Sequence, residues 1–181
     1  MGDISNHPRW YSAGLSGSVY GLSGVVMTDI RHISEETKTN LSVESGEIVV
    51  SVSGGKDSLA CCLRLFEMGY KKEDFRRVFM DTGWESQVTY DYLDELEETI
   101  GTIERIKRTV PLDDKFTTAA KKFILEEEQR LGRESGLIRM VVKRSLFPSS
   151  FRKYCTFELK IKPFQDWIKE QDNDIICVVG V

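Results

Sequence analysis

Histidine is nearly missing from this chain: His7 and His32 are the only two in 181 residues. Both lie outside every motif described below, so an imidazole general base has no candidate. Proline is scarce, with four residues, and cysteine equally so. Cys61, Cys62, Cys155 and Cys177 show no C-x-x-C spacing. That is the usage of a reduced, cytoplasmic protein. No apolar run approaches the roughly 18 residues that span a bilayer, so no membrane partner is expected. Arg9 is not followed by an apolar stretch, so no signal peptide is read. Positive charge is not in excess, because Lys+Arg is 25 against Asp+Glu 29, a net −4. A globally basic nucleic-acid coat is excluded, while a local basic patch is not. With 40% hydrophobic residues the chain escapes wholesale disorder and can bury a core.

What is present is an alternation. Residues 1–28 are set apart as a flexible arm rich in Gly and Ser, with a small repeat, Gly14-Leu15-Ser16-Gly17 and Gly21-Leu22-Ser23-Gly24. Met27 is a candidate start. Alternatively the arm covers a partner or a sheet edge through Trp10, Tyr11 and Tyr20. Residues 29–181 are read as a single domain. There a polar helix at 34–42 leads into a strand over 47–51, whose Ile48-Val49-Val50 run suits burial on both faces. A helix over 57–68 follows, with Leu59, Leu63 and Phe66 at helical spacing. Further strands are expected at 77–80, 103–107 and 174–181. Helices are expected at 87–100, 113–131, 134–147 and 155–171. In the first of these Val88, Tyr92, Leu93, Leu96 and Ile100 form the stripe. In the second Phe116, Ala120, Phe123 and Ile124 face inward, with Asp113 and Asp114 at the positive dipole end. The last carries Phe157, Ile161, Phe164 and Ile168 as a stripe and must kink or restart at Pro163. This order predicts parallel β-α-β units, with ligands beyond the carboxyl ends of the strands.

The strongest motif is Ser53-Gly54-Gly55-Lys56-Asp57-Ser58, directly after the first of those strands and opening the first helix. Two glycines let the backbone turn tightly and approach a ligand closely. The helix aims its free N–H groups and positive dipole end at the same spot. Ser53 and Ser58 offer hydroxyls and Lys56 a charge, whereas Asp57 suits Mg²⁺ or a helix cap. The pattern is neither a Walker A loop nor G-x-G-x-x-G. It resembles the S-G-G-x-D-S signature of the PP-loop ATP pyrophosphatases, within the adenine-nucleotide α-hydrolase-like superfamily, and every fixed position matches.

Two further motifs follow in that family's order. Asp81-Thr82-Gly83-Trp84-Glu85, then Thr89 to Leu96, resembles the D-T-G region of phosphoadenosine phosphosulfate (PAPS) reductases, with Val88 where Glu is usual. Residues 139–162 carry Arg139, Lys143, Arg144, Arg152, Lys153, Lys160 and Lys162 against one acid, Glu158, a local balance of +6 in a chain of −4. Such segregation favours an anionic ligand, nucleic acid included. Within it Cys155-Thr156-Phe157-Glu158-Leu159-Lys160-Ile161-Lys162-Pro163 resembles the C-T-x-x-L-K-x-x-P segment of PAPS reductase-like proteins.

The resemblance covers about residues 45–181. It implies a Rossmann-like three-layer α/β/α fold with a mainly parallel sheet, C-terminally truncated, because relatives continue past Gly180 with a G-x-R-x-x-E-S segment. A homodimer or a partner chain would then complete the site. It implies an adenine nucleotide, ATP-Mg²⁺ or PAPS. Ser53, Gly54, Gly55, Lys56 and Ser58 would hold phosphates and Asp57 the metal. Asp81, Thr82 and Gly83 would contact the adenosine. Lys160, with Arg152 or Lys153, would meet phosphate or sulfate. The expected chemistry is adenylylation of an unknown acceptor with release of pyrophosphate. The alternatives are sulfonucleotide reduction by a thiol, for which Cys155 is the candidate, and a non-catalytic nucleotide- or nucleic-acid-binding module. The reactive cysteine tail of true PAPS reductases, E-C-G-L-H, is absent from this sequence.

Overall fold

The computed structural model describes residues 46–180 in full and the backbone of three short strands at 11–13, 19–22 and 25–29. The helix expected at 34–42 lies outside the described residues. Seven strands form one sheet: β1 (Tyr11–Ala13), β2 (Val19–Leu22), β3 (Val25–Asp29), β4 (Glu47–Val52), β5 (Phe75–Asp81), β6 (Ile103–Lys107) and β7 (Ile175–Val179). Their order across the sheet is β1-β2-β3-β7-β4-β5-β6. β7 runs parallel to both neighbours, with Val25↔Ile175 on one side and Glu47↔Ile175 on the other. The crossovers are helical, which gives the α/β Rossmann-like arrangement expected. The strands at 11–29 are a departure, since the sequence there reads as an arm. β1 and β2 pair antiparallel, as do β2 and β3, and β3 joins the sheet through β7.

The helices are α1 (Lys56–Glu67), α2 (Gln87–Ile100), α3 (Thr118–Leu131), α4 (Gly136–Arg144), α5 (Tyr154–Thr156) and α6 (Lys162–Lys169). α3 begins five residues later than the acidic pair suggests. Thr117 is its cap and accepts from Ala120 N at 3.2 Å, while Asp113 Oδ1 accepts from Lys115 N and shapes the preceding turn. Asp113 therefore organises a turn and not a helix dipole, while Asp114 pairs with Lys121 at 4.0 Å.

By its internal packing the chain divides into two compact units. One comprises Met1–Val78, Glu95–Glu104 and Gln171–Val181; the other comprises Phe79–Asp94 and Arg105–Glu170. In the first, Val49, Val50, Cys61, Cys62, Leu65 and Cys177 are fully buried. The buried face of α1 is thus Cys61, Cys62 and Leu65, and Leu63 of the expected stripe is exposed. The two adjacent cysteines serve as small hydrophobes, one of their common uses. In the second unit, Phe116, Ile124 and Ile138 form one cluster and Val110, Met140 and Leu159 another. Phe123 and Val88 point outward, against expectation.

Between α5 and α6 lies a π-helical turn, Phe157–Ile161. Lys162 N donates to Phe157 O, five residues back, instead of to Glu158 O. The Glu158 carbonyl is left free and accepts from Arg108 Nη1 at 2.8 Å. Pro163, which has no N–H, then falls at the start of α6, where none is needed. The extra residue rotates the helix faces, so Leu159, Pro163 and Trp167 are buried while Phe157 is exposed.

Candidate functional site

In the first unit the phosphate loop links β4 to α1. Gly54 has φ +77°, a left-handed conformation that glycine adopts without strain. Gly55 caps α1 in extended backbone, with no side chain bonded to the helix end. The two serines knit the loop together. Ser58 Oγ donates to Gly55 O at 2.9 Å and accepts from Ser53 N at 3.1 Å. Ser53 Oγ lies 3.3 Å from Ser58 Oγ and accepts from Gly55 N at 3.3 Å. Ser58 is buried, so its part here is to hold the loop's shape. Lys56 and Asp57 are exposed, and Asp57 sits in the first turn of α1.

Gly180, just past β7, is a loop neighbour that the sequence reading did not single out. A Cβ on it would lie 2.5 Å from the Asp57 carbonyl carbon and 2.6 Å from its oxygen. The signal was a glycine directly after a buried β-branched run.

The second unit carries the other two motifs. Asp81 ends β5, and its Oδ1 accepts from Gly83 N at 2.7 Å and from Tyr90 Oη at 2.5 Å. Thr82 Oγ1 donates to the Glu85 carboxylate at 2.9 Å and accepts from Trp84 N at 3.3 Å. Tyr90 is buried, and burial together with the Asp81 and Glu85 carboxylates pushes its phenol well above the ordinary range. Arg133 stacks over the Tyr90 ring at 4.2 Å and donates to Glu85 O at 2.6 Å. Gly83 has φ +74°, and a Cβ there would lie 2.4 Å from Glu134 O. One oxygen of Asp81 therefore braces its own turn. Glu85, Tyr90 and Arg133 are supports that the motif reading passed over.

Gly136 brings this turn to the third motif. An added Cβ would meet Leu159 Cδ2 at 3.1 Å, Arg108 O at 3.2 Å and Thr82 O at 3.5 Å. Leu137 N also donates to Thr82 O at 3.2 Å. The D-T-G turn, the start of α4 and the π turn are thus held against one another. Arg139 is buried and internal: its guanidinium grips Glu128 at 2.8 and 2.9 Å and Val110 O at 2.8 Å.

Three of the seven cations in the basic stretch are engaged. Besides Arg139, Lys143 pairs with Asp113 at 3.6 Å and Arg144 with Glu158 at 3.2 Å. Arg108 also pairs with Glu158, and Arg108, Lys143, Arg144 and Glu158 line a cavity of about 310 Å³ with Thr109, Pro111 and Met140. Arg152, Lys153, Lys160 and Lys162 are exposed, with no ion-pair partner among the described residues. Cys155 is half-buried, unlike the other three cysteines, and its Sγ lies 4.0 Å from Thr156 Oγ1.

Among the described residues no group of three His, Cys, Asp or Glu side chains could hold a metal. A single exposed carboxylate beside a phosphate loop nevertheless fits Mg²⁺, which takes one or two carboxylates and completes its shell with phosphate and water. Among the same residues no helix is long and apolar enough to cross a membrane.

The chain is similar to an uncharacterized 37.8 kDa protein in the gpa 5′ region of Escherichia phage 186. The two are 32% identical over 163 residues, 76% of this chain and 48% of the phage protein. The chain thus spans about half the length of that relative. No solved structure matches it. The family model of the phosphoadenosine phosphosulfate reductase domain matches residues 47–180, from the first residue of β4 to the glycine after β7. That span takes in the phosphate loop, the D-T-G turn and the π turn, and the chain belongs to this family.

Proposed function

We propose that the chain binds ATP-Mg²⁺ and directs attack on the α-phosphate. The observation that carries this reading is the intact S-G-G-x-D-S loop at the β4–α1 junction. Its Gly54 is left-handed, and the end of α1 has no side-chain cap. Backbone N–H groups and the helix dipole there suit a pyrophosphate. Asp57, exposed in the first turn, is assigned the metal.

In the proposed step a nucleophile of the acceptor attacks the α-phosphorus and the bond to the bridging oxygen of the β-phosphate breaks. Pyrophosphate leaves and the acceptor's proton passes to solvent. Such catalysis is mostly positioning and charge stabilisation, which is compatible with two histidines outside the motifs. The resemblance offers Lys160 for the developing charge, and Asp81, Thr82 and Gly83 for the adenosine.

Calorimetric titration of ATP-Mg²⁺ and of PAPS against the wild type and Asp57→Ala tests the reading. ATP should bind, and Asp57→Ala should weaken it only when Mg²⁺ is present. Binding of PAPS alone, indifferent to Mg²⁺, would replace this reading with sulfonucleotide reduction. The half-buried Cys155 favours that second reading, and Cys155→Ser should then abolish turnover. Binding of neither nucleotide would refute both.

A further inference from the structure

The segment between α4 and α5 exposes more aromatic surface than a fold requires. Ser149 and Arg152 pair across a tight tip, where Arg152 N donates to Ser149 O at 3.0 Å. Ser150 and Phe151 occupy the tip, and Phe151 is 97% exposed. Tight turns are usually built from Gly, Pro, Asn, Asp and Ser. A phenylalanine placed there adds nothing to the core. Phe147, four residues earlier, is 73% exposed. With Trp84, itself 45% exposed, and Phe123 it lines a cleft of about 120 Å³. Directly after the tip come Arg152 and Lys153, and further on Lys160 and Lys162, the exposed cations without a described partner.

Exposed rings interleaved with unpaired cations suit one kind of ligand closely. A single-stranded nucleic acid offers a flat π-face at every base and a negative charge at every phosphate. A duplex hides those faces by stacking them on each other. A lipid surface would instead favour an amphipathic helix with one continuous apolar face. Here the rings stand on a turn and in a cleft.

We propose that Phe147, Phe151 and Trp84, with Arg152 and Lys153, form a binding surface for single-stranded nucleic acid. The rings stack on bases and the two cations follow the backbone. This assignment gives Arg152 and Lys153 to the polynucleotide and leaves Lys160 to the nucleotide at the phosphate loop.

Fluorescence anisotropy with labelled 20-residue oligo-dT and oligo-U tests it, against a duplex of the same length. Co-sedimentation with phosphatidylserine vesicles is run in parallel. The wild type should bind the single strands more tightly than the duplex and lose affinity steeply with salt. Phe151→Ala should weaken single-strand binding by about tenfold, the usual scale of one lost stacking contact. It should leave the unfolding temperature unchanged, because the ring is almost wholly in solvent. Replacing Arg152 and Lys153 by Gln together should lower the log–log salt slope by about 1.4, from roughly 0.7 per phosphate contact. The proposal is overturned if oligonucleotides do not bind, if the duplex binds as well as the single strand, or if Phe151→Ala changes nothing. Binding to vesicles alone would overturn it too, and would point to a lipid surface.

Discussion

The buried pair of Glu128 and Arg139 should be the most sensitive polar contact in the second unit. Both residues are 8% exposed. Arg139 Nε and Nη2 donate to the two carboxylate oxygens at 2.8 and 2.9 Å, and Ser135 N donates to Oε1 at 2.9 Å. Glu128→Gln keeps the shape and removes the charge, which leaves the buried guanidinium with one counter-ion, Glu134, whose Oε1 lies 2.8 Å from Nη1. Breaking one side of a buried pair costs about 3–5 kcal/mol, and the second carboxylate places this one toward the low end. At this chain length each kcal/mol lowers the unfolding temperature by roughly 2–4 °C, so a fall of roughly 6–20 °C is expected. The pH dependence has a definite sign. Burial alone would raise the Glu128 pKa, but the hydrogen bonds from Arg139 and Ser135 N outweigh it and hold the carboxyl below its ordinary value. Its contribution is therefore full above the unfolded-state pKa, about 4.3, and fades as pH falls through the lower folded value. Thermal unfolding of wild type and Glu128→Gln between pH 3 and pH 7 is the assay. The difference should be largest at neutral pH and shrink on acidification. Arg139→Met added to Glu128→Gln should recover part of the loss, since the stranded charge is gone. A fall of under 2 °C at neutral pH, or a difference that does not shrink in acid, would refute the reasoning.

Gly180→Ala should strain the phosphate loop, because its Cβ would meet Asp57 backbone atoms that cannot swing aside. A loss of about 1–3 kcal/mol in stability is expected, with weaker ATP-Mg²⁺ binding by calorimetry, and unchanged binding would count against the contact. Thiol labelling at pH 8 should find one fast cysteine, Cys155, and three slow ones. Burial pushes the Cys62 and Cys177 thiols up to about 12, so they stay protonated until the pH nears that value or the chain unfolds. More than one fast thiol in the folded protein would contradict the buried core of the first unit.

The parts of the site that sequence made legible are those whose chemistry is local. The phosphate loop announces itself because strand, glycines and helix start are contiguous. Gly83 sits where a turn demands a left-handed residue. The faces of helices were harder to read. On α1, Leu59, Leu63 and Phe66 keep helical spacing as well as Cys61, Cys62 and Leu65 do, and cysteine is easily passed over as a core residue. At Pro163 the sequence signals a break, but the adjustment is made one turn earlier, by a π turn that needs Arg108 to satisfy the Glu158 carbonyl. No local pattern contains Arg108. The same holds for the basic stretch, where charge counting cannot tell Arg139, locked to Glu128, from Arg152 in solvent. Nor could composition reveal strands at 11–29, since β3 takes its place in the sheet through a strand from the other end of the sequence.

That last pairing has a consequence for how the protein is made. β7 lies between β3 and β4, yet it leaves the ribosome after the six other described strands. Until it arrives, β3 and β4 have no common neighbour, and each presents a bare edge that invites pairing with other chains. Closing two such distant contacts at once is slow, because the loop entropy is lost before any ladder bond forms. The nascent chain therefore keeps its central sheet open until β7 emerges, and chaperone demand should be highest in the interval before residues 175–179 appear.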